Sequence, residues 1–221
     1  MAKFVDSWRR ALRSREFRDQ LLVTLAALVV TLLLLRAFTN YIGARMGAVL
    51  HDPILDLFPP SSFVWITFSL IYAGYLLGIV SLFARPFSLL LALRALVVLT
   101  ILRAVCQFFL PLDPPADAIP LADPFIQIPG FRPVLPRDLF FSWQTALLVL
   151  LAFVTQWRDL KIVLAFLAVI VSALMLVQHA HYTIDLVAAP CFAYAAYGLA
   201  KSISVQEVAG RRELPFLPPR V

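Results

Sequence analysis

Six long apolar runs restrict this sequence more than any other feature. They cover 21–38 (LLVTLAALVVTLLLLRAF), 63–84, 87–110, 140–157, 160–178 and 181–200. A helix needs roughly 20 mostly apolar residues to cross a bilayer, because it rises about 1.5 Å per residue through about 30 Å of hydrocarbon. In lipid each backbone polar group must find its partner within the protein, and a helix provides this segment by segment. The runs therefore predict an all-α, polytopic membrane protein built as a six-transmembrane-helix bundle. The connections after the second, fourth and fifth runs are very short, which predicts antiparallel hairpins there. The chain is 62% apolar and 14% charged, whereas a soluble domain is nearer 25% charged.

The basic residues predict an orientation. Six crossings put both termini on one side. Thirteen of the 19 Lys and Arg fall on that side, and four, Arg36, Arg45, Arg132 and Arg137, fall on the other; Arg94 and Arg103 lie inside the third run. Lysine and arginine concentrate on the cytoplasmic side, so both termini are expected there. The chain then divides into a cytoplasmic amphipathic segment (1–20), a six-helix membrane domain (21–200) and a cytoplasmic tail (201–221). In the first segment Phe4, Trp8, Leu12 and Phe17 fall near helical spacing among basic residues. That pattern suits either a surface anchor on anionic lipid or a plain topology signal. No secretory signal is expected, since the first apolar run starts only at Leu21 and no small-residue cleavage site follows it.

The segment 111–136 holds eight of the 16 prolines. Proline at this density excludes helix and central strand. The segment is also too apolar for a simple tail, so an ordered, proline-rich outer loop is expected over the helix ends. Cys106 and Cys191 both lie inside apolar runs and read as packing residues without a disulfide.

Polar residues at the outer ends of the runs fall in three islands. Arg103 is near the outer end of the third run. Asp138 to Thr145, DLFFSWQT, opens the fourth, and QHAHYTID, 178–185, opens the sixth. Ionisable groups at membrane depth tend to face one another and to mark function. Each also has a plainer reading. Arg103 can snorkel, Ser142 can cap a helix and Asp138 can favour a helix N-terminus. His179 points away from His181 on a helix and reads as a loop residue. His181 and Asp185 are different, because i, i+4 spacing puts them on one helical face. An aspartate that accepts the Nδ1 proton fixes the imidazole tautomer and leaves Nε2 free to attack. No metal or other cofactor is expected, since histidines are few and no ligand triad has zinc spacing. Nucleic acid is not an expected partner, because the basic residues sit at the cytoplasmic ends of the runs.

The motifs resemble those of a known family. HYTIDLVAAP is similar to the C-terminal signature of the sphingomyelin synthase-like branch of the type 2 phosphatidic acid phosphatase superfamily: histidine, tyrosine, serine or threonine, any residue, aspartate. RDLFFSWQT resembles the second signature of that branch, an aspartate followed four residues later by Ser-Gly-His-Thr. LRAVCQFFLPLDPP resembles its arginine-bearing segment before a proline-bearing outer loop. The likeness runs roughly from 51 to 200, in the family's order.

The resemblance implies a phosphoryl-transfer site for a membrane lipid with a phosphate headgroup, facing the outer (periplasmic or exoplasmic) side. It implies His181 as nucleophile, Asp185 as its orienting partner and Arg103 as the group that neutralises phosphate. Ser142, His179 and Tyr182 join Arg103 as candidate substrate-binding residues, and Asp138 joins His181, Asp185 and Gln144 as a catalytic candidate. One departure matters: where the family has Gly-His, this chain has Trp143-Gln144. An amide does not titrate, so Gln144 cannot serve as the general acid, a role typically worth 10²–10⁴-fold.

Three readings follow. The chain is a lipid phosphatase or phosphotransferase in which Asp138, His179 or water supplies the proton, or whose leaving group needs none. Alternatively it is an inactive relative that binds lipid phosphates, or a membrane scaffold whose site residues are only structural.

Overall fold

The computed structural model describes residues 2–43, 45–119, 123 and 139–212. Among the described residues the fold is all-helical: α1 (Ala2–Arg13), α2 (Arg15–Gly43), α3 (Val64–Phe83), α4 (Pro86–Phe109), α5 (Trp143–Val154), α6 (Arg158–Val177) and α7 (Thr183–Arg212). Five of them, α2, α3, α4, α6 and α7, are long and apolar enough to cross a membrane. The fourth run, 140–157, holds a shorter helix. α5 has only 12 residues, about 18 Å of helix against about 30 Å of hydrocarbon.

Local chemistry explains why α5 is short. Phe141 has φ 39°, a left-handed backbone that cannot continue a helix. Ser142 then caps α5, its Oγ accepting from Thr145 N at 3.4 Å. At the far end Thr155 is extended, and its hydroxyl meets Ser81 Oγ at 3.2 Å. The short helix is the centre of the bundle, packed by α3, α4, α6 and α7. Ala146 and Leu148 are fully buried. Irregular backbone at membrane depth is tolerated where protein rather than lipid surrounds it.

Two glycines let α3 approach this core. A Cβ on Gly74 would lie 2.5 Å from Leu148 Cδ2, and one on Gly78 would lie 2.7 Å from Leu151 Cδ1. Four residues apart, they form one smooth groove on α3 that seats α5. α2 is the outlier. Only 6% of its apolar stretch is buried, and it packs chiefly on α4. Val23, Leu33 and Leu34 are exposed, as expected of a helix that faces lipid.

Within 1–20 the helix breaks at Ser14, so Phe17 belongs to α2. α1 also docks on protein. Trp8 Nε1 donates to the carbonyl of Phe83 at 2.7 Å, one of the last α3 carbonyls that the helix itself leaves unsatisfied. Trp8 stacks edge-on to Phe17, and Phe17 edge-on to Phe87. Most of the proline-rich segment lies outside the described residues. Its first part, 111–119, is tied to the α2–α3 loop by a bridge between Ala48 and Leu112. Gly47 allows that approach, since a Cβ there would sit 2.6 Å from Asp113 N.

Candidate functional site

The turn between α6 and α7 gathers both loops at that end of the bundle. Gln178 is fully buried. Its Nε2 donates to Thr67 Oγ1 at 2.9 Å, and its Oε1 accepts from Phe63 N at 3.2 Å, which satisfies the start of α3. His179 adopts the left-handed region at φ 51°. Both of its ring nitrogens are engaged, Nδ1 with Asp117 Oδ2 at 2.9 Å and Nε2 with the carbonyl of Phe58 at 3.1 Å. The hydrogen bond to His179 holds the Asp117 carboxyl below its ordinary range despite some desolvation. Tyr182 is buried, and its hydroxyl donates to Asp113 O at 2.9 Å and accepts from Leu50 N at 3.2 Å. His179 and Tyr182 therefore brace the loops against the turn.

His181 lies in the turn just before α7 rather than on one helical face with Asp185, yet the two side chains meet. Nδ1 of His181 lies 3.3 Å from Asp185 Oδ2. Asp185 is completely buried, and 7% of the His181 side chain remains exposed. Where Asp185 is ionised it can only accept, so Nδ1 of His181 would donate to it, and a neutral imidazole would then present its lone pair at Nε2. Among the described residues Nε2 of His181 has no hydrogen-bond partner, and neither does the buried Oδ1 of Asp185. Asp185 also has a structural task, since Oδ2 accepts from Tyr182 N at 3.1 Å. Two residues into α7, it reaches back over the first turn as an acidic residue in a capping box does.

The remaining candidates come in from α4 and α5. Ser142 N donates to the backbone carbonyl of Asp185 at 3.1 Å, which ties the start of α5 to the start of α7. Ser142 Oγ turns to Met175 Sδ at 3.4 Å and to the α5 cap. Arg103 is 9% exposed and donates to the carbonyl of Phe141 at 2.7 Å. Its guanidinium lies 5.6 Å from the Phe141 ring centroid and 5.7 Å from that of Trp143, within cation–π range of both. Arg103, Phe141, Ser142 and Asp185 thus form one connected path from α4 to α7. Gln144 is half-buried in the first turn of α5, and no hydrogen bond joins it to His181 among the described residues. Asp138 lies outside the described residues.

Asp52 and Thr183 escaped the sequence reading. The Asp52 carboxylate accepts from Thr183 N at 2.6 Å and from Thr183 Oγ1 at 3.2 Å. Burial raises the Asp52 pKa, but the N–H groups of Thr183, Ile54 and Leu55 and the Thr183 hydroxyl outweigh it and hold the carboxyl below its ordinary value. An N-cap search looks one residue before the helix, so a cap supplied from the α2–α3 loop gives it no signal.

Chemically, the site offers a tautomer-fixed imidazole with a free nitrogen, a buried carboxylate behind it and a guanidinium one loop away. That set can attack or deprotonate, and it can hold an anion. Among the described residues no three His, Cys, Asp or Glu gather as a metal site would require. Comparisons of the chain with family models, with curated proteins and with solved structures return no match.

Proposed function

We propose that the His181 end of the bundle receives the phosphate headgroup of a membrane lipid and that His181 is its nucleophile. In this reading α5 is a short fourth crossing among six, and both termini are cytoplasmic. The site then opens toward the outer leaflet, as the charge distribution and the motif resemblance suggest. The observation that carries the reading is the His181–Asp185 pair, with Nδ1 committed to the carboxylate and Nε2 left unpartnered. Nε2 would form a bond to phosphorus as the P–O bond to the leaving group breaks. Gln144 has no proton to give, so water protonates the departing oxygen or the leaving group departs as a stable anion. Water or a lipid alcohol would then attack phosphorus, breaking the N–P bond and restoring His181. Arg103 would offset the negative charge.

A trapping experiment tests this. Purified protein is mixed with labelled phosphatidic acid, a lipid diphosphate and a ceramide-type donor, and acid-labile phosphohistidine is sought. The expected result is label in the native chain and none in His181→Asn. Absence of label with every donor would overturn the nucleophile assignment.

A specific observation favours a second reading, binding without turnover. The Trp143 indole lies against Arg103, at the position where the family resemblance calls for glycine, and the acid position holds Gln144. A site of this kind would grip a headgroup and leave it intact. In that case His181→Ala weakens lipid-phosphate binding although no phosphohistidine forms.

A further inference from the structure

At the opposite end of the bundle a cavity of about 330 Å³ lies between α2, α4 and α7. Its walls include Asp19, Thr24 and Ala27 of α2, Arg94 and Val98 of α4, and Ile203 of α7. The two entering helices are in register there. Phe17 of α2 meets Phe87 of α4 with ring centroids 5.1 Å apart, so the beginnings of α2 and α4 lie level. Counting inward at 1.5 Å per residue, Asp19 sits about 6 Å along α2 and Arg94 about 12 Å along α4, and Ala27 and Val98 lie about 18 Å in. The cavity thus runs from a carboxylate, through a guanidinium, to an apolar floor.

That order matches one class of membrane molecule. In an amine-bearing zwitterionic phospholipid the ammonium is outermost, the phosphate lies beneath it and the acyl chains lie deepest. We propose that this cavity is a binding site for a phospholipid with a primary-amine headgroup, its ammonium on Asp19, its phosphate on Arg94 and one acyl chain against Ala27 and Val98. Arg94 is already held, donating to Ser204 Oγ at 2.7 Å. A guanidinium carries five N–H donors, so it can be positioned by the α7 serine and still engage a phosphate. A choline headgroup has no N–H to give Asp19, and a purely anionic headgroup is repelled by it. Access is lateral: Val23, also on the wall, is 68% exposed, on a helix that the rest of the chain scarcely covers. An arginine inside an apolar helix is a costly placement that usually marks a ligand or ion path. The site is independent of any chemistry at His181.

The test uses the full chain reconstituted in nanodiscs with equal amounts of phosphatidylethanolamine, phosphatidylcholine and phosphatidylglycerol. The protein is then extracted in mild detergent and its retained lipids are weighed by native mass spectrometry. The ethanolamine lipid is expected to be retained over the choline lipid. Asp19→Asn should cut that preference by roughly fivefold, the scale of one partly exposed ionic contact. Arg94→Gln should lower retention of both zwitterionic lipids, and Ala27→Trp, which fills the floor, should lower all retention. Preferential retention of phosphatidylglycerol would overturn the proposal, and so would an ethanolamine preference unchanged by Asp19→Asn. Asp19 is exposed, so its substitution leaves the fold intact and remains decisive even if Arg94→Gln fails to fold.

Discussion

Asp52 caps α7 from 131 residues away, its carboxylate 2.6 Å from Thr183 N and 3.2 Å from Thr183 Oγ1. The first turn of α7 carries Asp185, which meets His181 in the turn just before it, so the α2–α3 loop helps set the geometry of the candidate site. Removing a helix cap typically costs about 1 kcal/mol. Asp52→Ala should therefore lower thermal stability in detergent by about that amount, and Asp52→Asn, which keeps an acceptor, by less.

The same cap carries a pH signature. Its folded pKa lies below the ordinary 3.8. A depressed carboxylate contributes stability that is present above the unfolded value and is lost as pH falls through the folded one. The melting-temperature gap between the native chain and Asp52→Ala should hold from neutral pH down to about pH 5 and close below about pH 4. Asp52 is only half-buried, so solvent screening keeps the effect modest. A gap that widens on acidification would exclude this role.

Gly74 sets the distance between α3 and the core. A Cβ there would lie 2.5 Å from Leu148 Cδ2 and 3.3 Å from Leu167 Cδ1. Leu148 is completely buried and has little room to yield. Gly74→Ala should destabilise the bundle by about 1–3 kcal/mol, the usual scale of overpacking. Gly198 has nothing within 4 Å of a Cβ, so Gly198→Ala is the control and should be neutral or slightly stabilising in its helix. Equal melting temperatures for the two variants would contradict the packing described.

The six-crossing topology can be tested by labelling. With Cys106 and Cys191 replaced by alanine, single cysteines at Ala116 and Ser202 both fall on exposed positions. A membrane-impermeant thiol reagent applied to intact cells should label the first and not the second. Labelling of both would mean that α5 does not count as a crossing.

Much of the bundle was legible in the sequence because hydropathy alone specifies a lipid-facing helix. The runs 63–84, 87–110 and 160–178 correspond closely to α3, α4 and α6. The same signal misread 140–157. Phe140 and Phe141 are apolar whether or not they are helical, and Phe141 adopts a left-handed backbone with its carbonyl held by Arg103. At the site, the His181–Asp185 pair was legible because the two residues are only four apart, although His181 lies in the turn before α7 and Asp185 in its first turn. Asp52, Gln178 and Asp117 were not, since their partners come from distant loops and no local period reports them. Gly74 and Gly78 did leave a signal, a four-residue spacing of small residues in a membrane helix, which periodicity of apolar residues does not register.

If the site takes a lipid phosphate as proposed, the Trp143–Gln144 pair is what separates turnover from simple binding. Gln144 can donate a hydrogen bond but not a proton, and the Trp143 ring lies 5.7 Å from the Arg103 guanidinium. If His181 is a nucleophile, the native chain should favour lipids with good leaving groups, such as diphosphates. The double variant Trp143→Gly with Gln144→His uncovers Arg103 and supplies an imidazole where the acid is missing. It should raise turnover of poor leaving groups by roughly 10²–10⁴, the usual scale of general acid catalysis, while diphosphate turnover changes far less. His181→Ala should abolish turnover in both backgrounds. Steady-state rates on phosphatidic acid and on a lipid diphosphate, across the four chains, check each of these outcomes. If all four are inert on both substrates, the nucleophile role is excluded. Lipid-phosphate binding by the native chain, weakened in His181→Ala, would then identify the site as a headgroup receptor.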